Sequence, residues 1–262
     1  MDYLKKNFEN LYELEKNKLP GVGSFVWENL QIPADVKSIL DVGCWRGEFL
    51  NSLPDTYEKT GVDIVSEALK NVKCKTIACS VEELPFPSSS FDLVTSFEVL
   101  EHLPSDIFPK SVSEIERVSR KYIAVSVPNN QMLKQAFVKC SYCRCLFNPD
   151  YHVRSFDISK LQKLFKKFSP VSCIECGPLI SDYPSFVNFL TPLIGIKPKP
   201  NTVCPQCGYT EKSENKISNE SSITENQPKD LNHGKSLLST LKSYIRQNKR
   251  PYCLLTLYKR NE

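Results

Sequence analysis

The stretch Ser38–Leu50, SILDVGCWRGEFL, decides the fold of this chain. It opens on the mostly apolar run Ile39–Val42, breaks at Gly43, turns as far as Gly47 and continues with Glu48–Leu50. This order predicts a strand, a glycine turn and a helix. Because glycine lacks the Cβ that would block close approach, such a turn lets backbone N–H groups and a helix N-terminus reach a ligand.

The acidic residue Asp41 stands at the end of the predicted strand, where it would repel a pyrophosphate but can hold a cationic amine. The turn lacks the G-x-G-x-x-G spacing of a dinucleotide site. It resembles motif I, D-x-G-x-G-x-G, of the class I S-adenosylmethionine-dependent methyltransferases, with Trp45 in place of the middle glycine. A strand-to-helix turn without a ligand is the alternative. The cofactor-binding residues that the resemblance implies here are Asp41, Gly43, Cys44 and Gly47.

A second strand is predicted at Glu58–Val65, and Asp63 lies at its tip, about 20 residues after the glycine turn. Two neighbouring ribose hydroxyls need a pair of acceptors, which one carboxylate provides. Asp63, with Ile64 beside it, is therefore the predicted ribose site. The alternative is an aspartate that only shapes the turn after the strand.

The segment Cys79–Leu103 carries the second strong signal, because its L-P-F and S-F-D-L-V runs resemble a further motif block of the same family. That family usually holds the adenine with a carboxylate and the backbone beside it. Ser80 stands where the acid is common, so the resemblance places the adenine contact at Ser80 or Glu82, around Val81. The strand that follows, Phe91–Ser96, directs Phe97 and Glu98 toward the methyl end of the cofactor.

Two carboxylates and an imidazole, Glu98, Glu101 and His102, would share one face if this segment were helical. Such donors could bind a divalent cation, and some O-methyltransferases of this fold use an E-x-x-E-H pattern for magnesium. The alternatives are that Glu98 faces cofactor or substrate and that His102 is structural or a catalytic base, since an imidazole titrates near neutrality.

Strand five is predicted at Lys121–Pro128, a nearly continuous apolar run suited to the centre of a sheet, with Asn129 at the substrate mouth. The later H-x-R-x-F pattern, His152–Phe156, resembles the region beside the substrate opening in this methyltransferase group. The resemblance makes His152 a candidate general base and Arg154 a candidate anion clamp. Loop packing is the alternative for both.

The eleven cysteines favour metal ligands or free thiols over disulfides if the compartment is reducing. Four thiolates from two C-x-x-C units fit a tetrahedral structural zinc site without an open position. Cys145 could replace Cys143, and four unrelated thiols are the alternative. Cys173 and Cys176 fall in a predicted strand and are interpreted as core thiols, with a redox pair as the alternative. The predicted zinc ligands are Cys140, Cys143, Cys204 and Cys207.

Composition sets outer bounds on the function. The 34 basic and 30 acidic residues are interspersed, and the net charge of +4 does not require nucleic acid as a partner. The sequence contains no run of about 18 apolar residues, so no membrane span is predicted. The first residues, MDYLKKNFENLYELEK, are too charged for a signal peptide, which favours the cytoplasm.

The sequence thus predicts an α/β fold: a Rossmann-like, doubly wound sheet of seven strands with a small zinc-binding insertion after strand five. The last strand, Pro251–Lys259, is expected antiparallel to its neighbours. The predicted regions are N-terminal helices or a lid (1–36), an S-adenosylmethionine-binding core (37–138), a substrate-side region with the zinc knuckle (139–210), a flexible insertion (211–234), and a helix and strand that complete the sheet (235–262).

The function implied by the resemblance is methyl transfer from S-adenosylmethionine to a small-molecule substrate, with O-methylation of a small molecule or sugar as the first hypothesis. A degenerate domain that acts as a binding or scaffold module is the alternative that Trp45 and Ser80 favour. RNA methylation is a third hypothesis, which the weak net charge disfavours.

Overall fold

A computed structural model describes residues 2–15, 24–133, 137–181, 202–210 and 249–262. In chain order its strands are β1 (Ser38–Val42), β2 (Glu58–Asp63), β3 (Lys75–Ala78), β4 (Phe91–Phe97), β5 (Ser119–Pro128), β6 (Val138–Lys139), β7 (Leu146–Phe147), β8 (Phe168–Ser181) and β9 (Lys249–Arg260). Seven of them form one sheet in the order β3-β2-β1-β4-β5-β9-β8.

The strands β1 to β5 pair in parallel, and β9 runs antiparallel to β5, with Ile123 opposite Tyr258. This confirms the predicted seven-strand class I methyltransferase fold and its antiparallel last strand. The carboxyl ends of the five parallel strands lie at one edge of the sheet, where open α/β sheets bind their ligands.

The helices are α1 (Asp2–Glu15), α2 (Ser24–Glu28), α3 (Glu48–Ser52), α4 (Phe108–Val118) and α5 (Ile158–Gln162), with 3-10 turns at Ala68–Asn71 and Leu100–His102. Asp157 caps α5, because its carboxylate accepts the backbone N–H of Lys160 at 2.8 Å. In the described part of the chain, no helix is long and apolar enough to cross a membrane.

Helices cover both faces of the sheet, as a doubly wound fold requires. Successive residues of β1 alternate between the two faces, so that Ile39 packs with Phe49 of α3 and Leu40 packs with Ile115 of α4. Both β1 side chains are fully buried. Burial on both faces explains why the central strands are almost continuously apolar.

The sequence also predicts helices that begin at Ser66 and at Gln131. The first is only the 3-10 turn Ala68–Asn71. The second, expected over Gln131–Val138, is not α-helical at its described ends, and Val138 begins β6. The segment from Glu98, for which a helical face was one hypothesis, is not helical, because Glu98 has a φ of +54° and only Leu100–His102 forms a turn.

The chain divides into two compact units. The first combines Met1–Leu133, Asp150–Pro178 and Pro251–Glu262 and contains the parallel strands. The second combines Lys134–Pro149 and Leu179–Arg250. The sequence also predicts an apolar helix or loop at 182–194 and a helix at 235–247. Both segments, and the flexible insertion predicted at 211–234, lie outside the described residues.

Candidate functional site

A cavity of about 380 Å³ opens at the carboxyl ends of β1, β2 and β4 in the first unit. Its size falls in the range of about 300–1,000 Å³ that is usual for small-molecule sites. Its wall is mostly apolar, and it carries polar side chains at the tips of β2 and β4. The lining residues from these strand ends are Val42, Gly43, Trp45, Val62, Asp63, Ile64, Phe97, Glu98, Val99 and His102.

The glycine turn brings its backbone against Val99, which follows β4. Gly43 has a φ of +76°, and a Cβ at this position would lie 2.3 Å from a Val99 methyl carbon. Side chains are therefore excluded by both the backbone conformation and the neighbour. The amide groups of Gly43 and Cys44 donate to the carbonyl of Val62. The turn thus lines the cavity without offering these two donors to a ligand.

Asp63 occupies the tip of β2 as predicted. Its Oδ2 accepts the N–H of Trp45 at 2.8 Å, and its Oδ1 accepts the N–H of Val65 at 2.9 Å. Burial raises the pKa of Asp63, while these N–H donors oppose that rise. The backbone N–H of Ile64 is a third such donor. Since the two oxygens of a carboxylate offer about four acceptor positions, Asp63, which lines the cavity, can still accept a hydrogen bond from a ligand.

Asp41 lies behind the cavity wall. Its Oδ1 accepts the hydroxyl of Thr95 at 2.7 Å, and burial raises the pKa of the Asp41 carboxyl to about 7. Cys44 is buried against Gly61, where it would be 2.7 Å from an added Cβ. Asp41, Cys44 and Gly47 are absent from the cavity lining, so their roles toward a cofactor stay predictions.

Trp45, which replaces the middle glycine of the motif, takes a left-handed conformation with a φ of +48°. Its indole lines the cavity and packs edge-on against Tyr12 of α1, with 5.5 Å between the ring centroids. Phe8 and Leu11 of the same helix also line the cavity. The N-terminal helix, predicted as a lid or packing helix, therefore contributes to this wall.

On the predicted adenine side, Cys79, Ser80 and Val81 line the cavity after β3, and Glu82 does not. Of the two candidates for the adenine contact, Ser80 is the one at the wall. Which group contacts an adenine stays a prediction. Cys79, Leu103 and Ile107 also line the cavity, and no sequence motif predicted these three residues as part of the site.

Glu98 follows β4 directly and lines the cavity. Its Oε1 accepts the hydroxyl of Ser126 at 3.1 Å and the thiol of Cys253 at 3.4 Å. Burial raises the pKa of Glu98. The positive φ of this residue turns its carboxylate toward β5 and β9 instead of along a helix face.

Glu101, His102 and His152 form a cluster in which Glu101 and His152 are buried and His102 is half-buried. The Nε2 atoms of both histidines lie 4.0 Å from Oε1 of Glu101. Burial and the negative charge of Glu98 hold the pKa of Glu101 well above its usual range. Burial lowers the pKa of His102 to about 3 and also lowers that of His152.

His152 reaches this cluster because the backbone N–H groups of Val153 and Arg154 donate to the carbonyl of Glu101, at 2.9 and 3.2 Å. Of the predicted catalytic residues, Glu98 and His102 line the cavity and His152 lies behind His102. Arg154, the candidate anion clamp, places its guanidinium over the Phe108 ring and donates to the carbonyl of Leu103.

In the second unit, the two C-x-x-C segments bring four thiols within 4.8 Å of one another. The Cys140–Cys207 and Cys143–Cys204 sulfur distances are 3.8 and 3.6 Å. A tetrahedral zinc ion with Zn–S bonds of about 2.3 Å would space its sulfur ligands about 3.8 Å apart. The donor set and its spacing therefore fit zinc. Backbone N–H donation lowers the pKa of Cys143 to about 6, which favours the thiolate that a metal requires.

The two segments have the same backbone geometry. The first cysteine of each accepts at its carbonyl the N–H of the residue four positions later, Arg144 at 3.1 Å and Gly208 at 2.9 Å. Both of those residues are left-handed, with φ of +65° and +73°. Arg144 thus occupies a position for which glycine is the favoured residue.

Residues 40–122 match the model of a family described as a methyltransferase domain. An uncharacterised protein of Methanocaldococcus jannaschii is 34% identical over 37% of this chain and 44% of its own length. A ubiquinone biosynthesis O-methyltransferase of Albidiferax ferrireducens is 27% identical over 38% of this chain and 42% of its own length. The chain therefore spans less than half the length of these curated relatives.

A solved chain from the complex between the Haloferax volcanii Trm112 methyltransferase activator and a methyltransferase superposes with a TM-score of 0.54. It is 13% identical, and the match covers 99% of this chain and 98% of that one. At this identity the likeness concerns the fold alone. The family match covers β1 to β4 and the start of β5, which build the cavity. Residues 40–122 thus resemble a methyltransferase domain, and the described part of the chain has the class I methyltransferase fold.

Proposed function

We propose that this chain binds S-adenosylmethionine in the cavity of its first unit and transfers the sulfonium methyl group to an oxygen of a small-molecule acceptor. The observation that carries the proposal is Asp63, a buried carboxylate at the tip of β2 that lines the cavity. Vicinal ribose hydroxyls are two donors with matching spacing. The methyltransferase family match over 40–122 supports the same assignment.

The polar ends of the cavity give the ligand a direction. The nucleoside would lie between Asp63 and the Ser80–Val81 backbone, and the methionine portion would extend toward Phe97 and Glu98. The sulfonium methyl is already activated, so the protein must mainly hold an acceptor oxygen in line with it, about 3 Å away, and exclude water. The apolar wall contributed by α1 serves that exclusion.

In the transfer, the acceptor oxygen bonds to the methyl carbon while the sulfur–carbon bond breaks, and the hydroxyl proton leaves to a base. Glu98 and His102 are the candidate bases at the wall, and His152 lies one layer behind. A His102 pKa of about 3 makes its neutral imidazole a weak base. We therefore assign most of the rate acceleration to alignment.

The choice of an oxygen acceptor is supported by the O-methyltransferase named among the relatives, which covers this chain only in part. The interspersed charge and the apolar cavity wall favour a small molecule or sugar over RNA. The cytoplasm is the proposed compartment, because its reducing conditions would preserve the thiols of the second unit.

The ribose assignment can be tested by calorimetric titration of S-adenosylhomocysteine. We expect Asp63→Ala to weaken binding at least 100-fold, since two hydrogen bonds to a charged group contribute about 1.5–3 kcal/mol each. The control Asp55→Ala removes an exposed carboxylate that pairs with Lys59 and should leave the affinity unchanged.

Because Asp63 also holds two backbone N–H groups, its loss could unfold the turn. A 2′,3′-dideoxy analogue of S-adenosylhomocysteine removes the same hydrogen bonds from the ligand side and should bind the unaltered protein equally weakly. Equal affinity for both ligands would reject the ribose site. A folded protein that binds neither would instead support a scaffold role.

We also propose that Cys140, Cys143, Cys204 and Cys207 hold one structural zinc ion, which would link two segments distant in sequence. Four thiolates leave no open position for catalysis. Cys145 lies 3.2 Å from Cys204 and is the spare thiol. Elemental analysis should find one zinc per chain, lost in Cys204→Ser and kept in the control Cys145→Ser. Zinc loss in the control instead would make Cys145 the ligand.

A further inference from the structure

We propose that Glu101, His102 and His152 bind a divalent transition-metal ion at the inner end of the cavity. The three side chains come from the 3-10 turn after β4 and from the loop before α5. Their ligand atoms all lie within 4.8 Å of one another. Two imidazoles and one carboxylate suit Mn²⁺, Fe²⁺, Co²⁺ or Zn²⁺ better than Mg²⁺ or Ca²⁺, which prefer oxygen ligands.

The carboxylate of Glu101 is the first independent indication of a ligand. The residue is fully buried, and neither side-chain oxygen has a hydrogen-bond partner in the described part of the chain. An unpaired buried carboxyl is costly, and native proteins rarely leave one without a partner. A cation between Glu101 and the two imidazoles supplies that partner.

The distances fit a shared ion and not a direct contact. Both Nε2 atoms lie 4.0 Å from Oε1 of Glu101, which is too far for a hydrogen bond. Ligands bound tetrahedrally to one ion at about 2.0–2.2 Å lie about 3.5 Å apart. The two Nε2–Oε1 distances of 4.0 Å would therefore each close by about half an ångström.

The second independent indication is the group behind His152. Its Nδ1 lies 2.5 Å from the amide oxygen of Gln131, so Nδ1 carries the proton and Nε2 presents its lone pair to Glu101. Histidine ligands of metals typically donate their second ring N–H to such an oxygen, which fixes the tautomer and the ring. Phe8 packs edge-on against His102 at 5.1 Å and adds an apolar shell.

The E-x-x-E-H pattern suggests Glu98 as the third ligand, but in the structure His152 takes that role. The Glu98 carboxylate is held by Ser126 and Cys253 and does not belong to the cluster. Three protein ligands leave coordination positions open, as in catalytic metal sites. His102 also lines the cavity, so an open position faces it. If the proposed methyl transfer is correct, that position would take an oxygen of the acceptor.

The test is a Co²⁺ titration of the metal-free, full-length protein, without cofactor or acceptor. Co²⁺ bound by the cysteines gives thiolate charge-transfer absorption in the near ultraviolet, and Co²⁺ bound by imidazole and carboxylate gives only weaker visible bands. The double variant Cys204→Ser, Cys207→Ser should lose the thiolate absorption and still bind one Co²⁺ per chain. Failure of this variant to bind Co²⁺ while folded would overturn the proposal.

In the same background, Glu101→Gln and His152→Ala should each weaken Co²⁺ binding at least 100-fold, whereas His233→Ala, at the third histidine, should not. Gln131→Ala should weaken it about 10–100-fold, as loss of an outer-shell partner does. Unchanged affinity in folded Glu101→Gln would reject the site. Calorimetry with S-adenosylhomocysteine is independent of these readouts, so failure of the cofactor proposal remains distinguishable.

Discussion

Replacing Gly43 by alanine tests whether the glycine turn is shaped by its contact with Val99. The added Cβ would lie 2.3 Å from Cγ2 of Val99, 3.3 Å from Cγ1 and 3.4 Å from Cβ. The left-handed backbone, with a φ of +76°, costs a residue with a Cβ about 1–2 kcal/mol. Overpacking adds about 1–3 kcal/mol. We therefore expect Gly43→Ala to lower the free energy of unfolding by about 2–5 kcal/mol.

The two contributions separate in a double-mutant cycle with Val99→Ala. Truncation removes both valine methyls and leaves only the contact at 3.4 Å, an ordinary van der Waals distance. In this background Gly43→Ala should cost only the backbone penalty of about 1–2 kcal/mol. Urea unfolding followed by tryptophan fluorescence reports on this unit, because both tryptophans, Trp27 and Trp45, lie in it. Costs that add within about 0.5 kcal/mol would refute the steric argument.

Three further predictions follow from the described contacts. The folded protein raises the pKa of Asp41 to about 7 from an unfolded value of 3.8, so the stability contributed by the protonated carboxyl is full below pH 3.8 and is lost as the pH rises through 7. Asp41→Asn does not titrate, so between pH 4 and 7 its free energy of unfolding should rise relative to that of the unaltered protein, by up to about 4 kcal/mol. Parallel pH profiles of unfolding for the two proteins would contradict this. Trp45→Gly should change the free energy of unfolding by less than about 1 kcal/mol, since relief of the left-handed strain offsets the lost packing on Tyr12. The same variant should speed amide hydrogen exchange in α1, and unchanged exchange would refute the packing role of the indole. In Gly208→Ala the added Cβ meets no atom within 4 Å, so zinc binding by the four cysteines should weaken by only the backbone cost of about 1–2 kcal/mol. Arg144→Gly should strengthen zinc binding, because it removes a left-handed residue with a Cβ. Zinc affinity is measured with a competing chelator, and a higher affinity for Gly208→Ala would contradict the argument.

The sheet could be predicted from the sequence because its signals are local. Buried parallel strands are apolar runs bounded by turn residues, so β1, β2, β4 and β5 were predicted within two residues of their observed bounds. Asp63 could be placed because the residue at the tip of the second strand faces the glycine turn of the first. Both inferences need only strand order and spacing.

The rest of the site depends on contacts that spacing cannot supply. His152 joins Glu101 through backbone hydrogen bonds between a turn and a loop some fifty residues later, and α1 covers the cavity through Phe8 and Leu11. The segment from Glu98 is not helical, because the Glu98 side chain accepts a hydrogen bond from Ser126 of β5. This tertiary contact overrides the local helix preference. Tertiary contacts of this kind leave no periodic pattern.

Trp45 links the departure from the family motif to the shape of the cavity. A glycine at this position would leave the turn open, whereas the indole lines the cavity and meets Tyr12 of α1. Its backbone N–H donates to Asp63 at 2.8 Å, so the same residue fixes the carboxylate that we assign to the ribose. A glycine would donate the same backbone hydrogen bond, so the strain of about 1–2 kcal/mol in a left-handed tryptophan is offset in part by the aromatic contact with Tyr12. The replacement of glycine therefore keeps the hydrogen bond to Asp63 and adds an apolar side chain to the cavity wall.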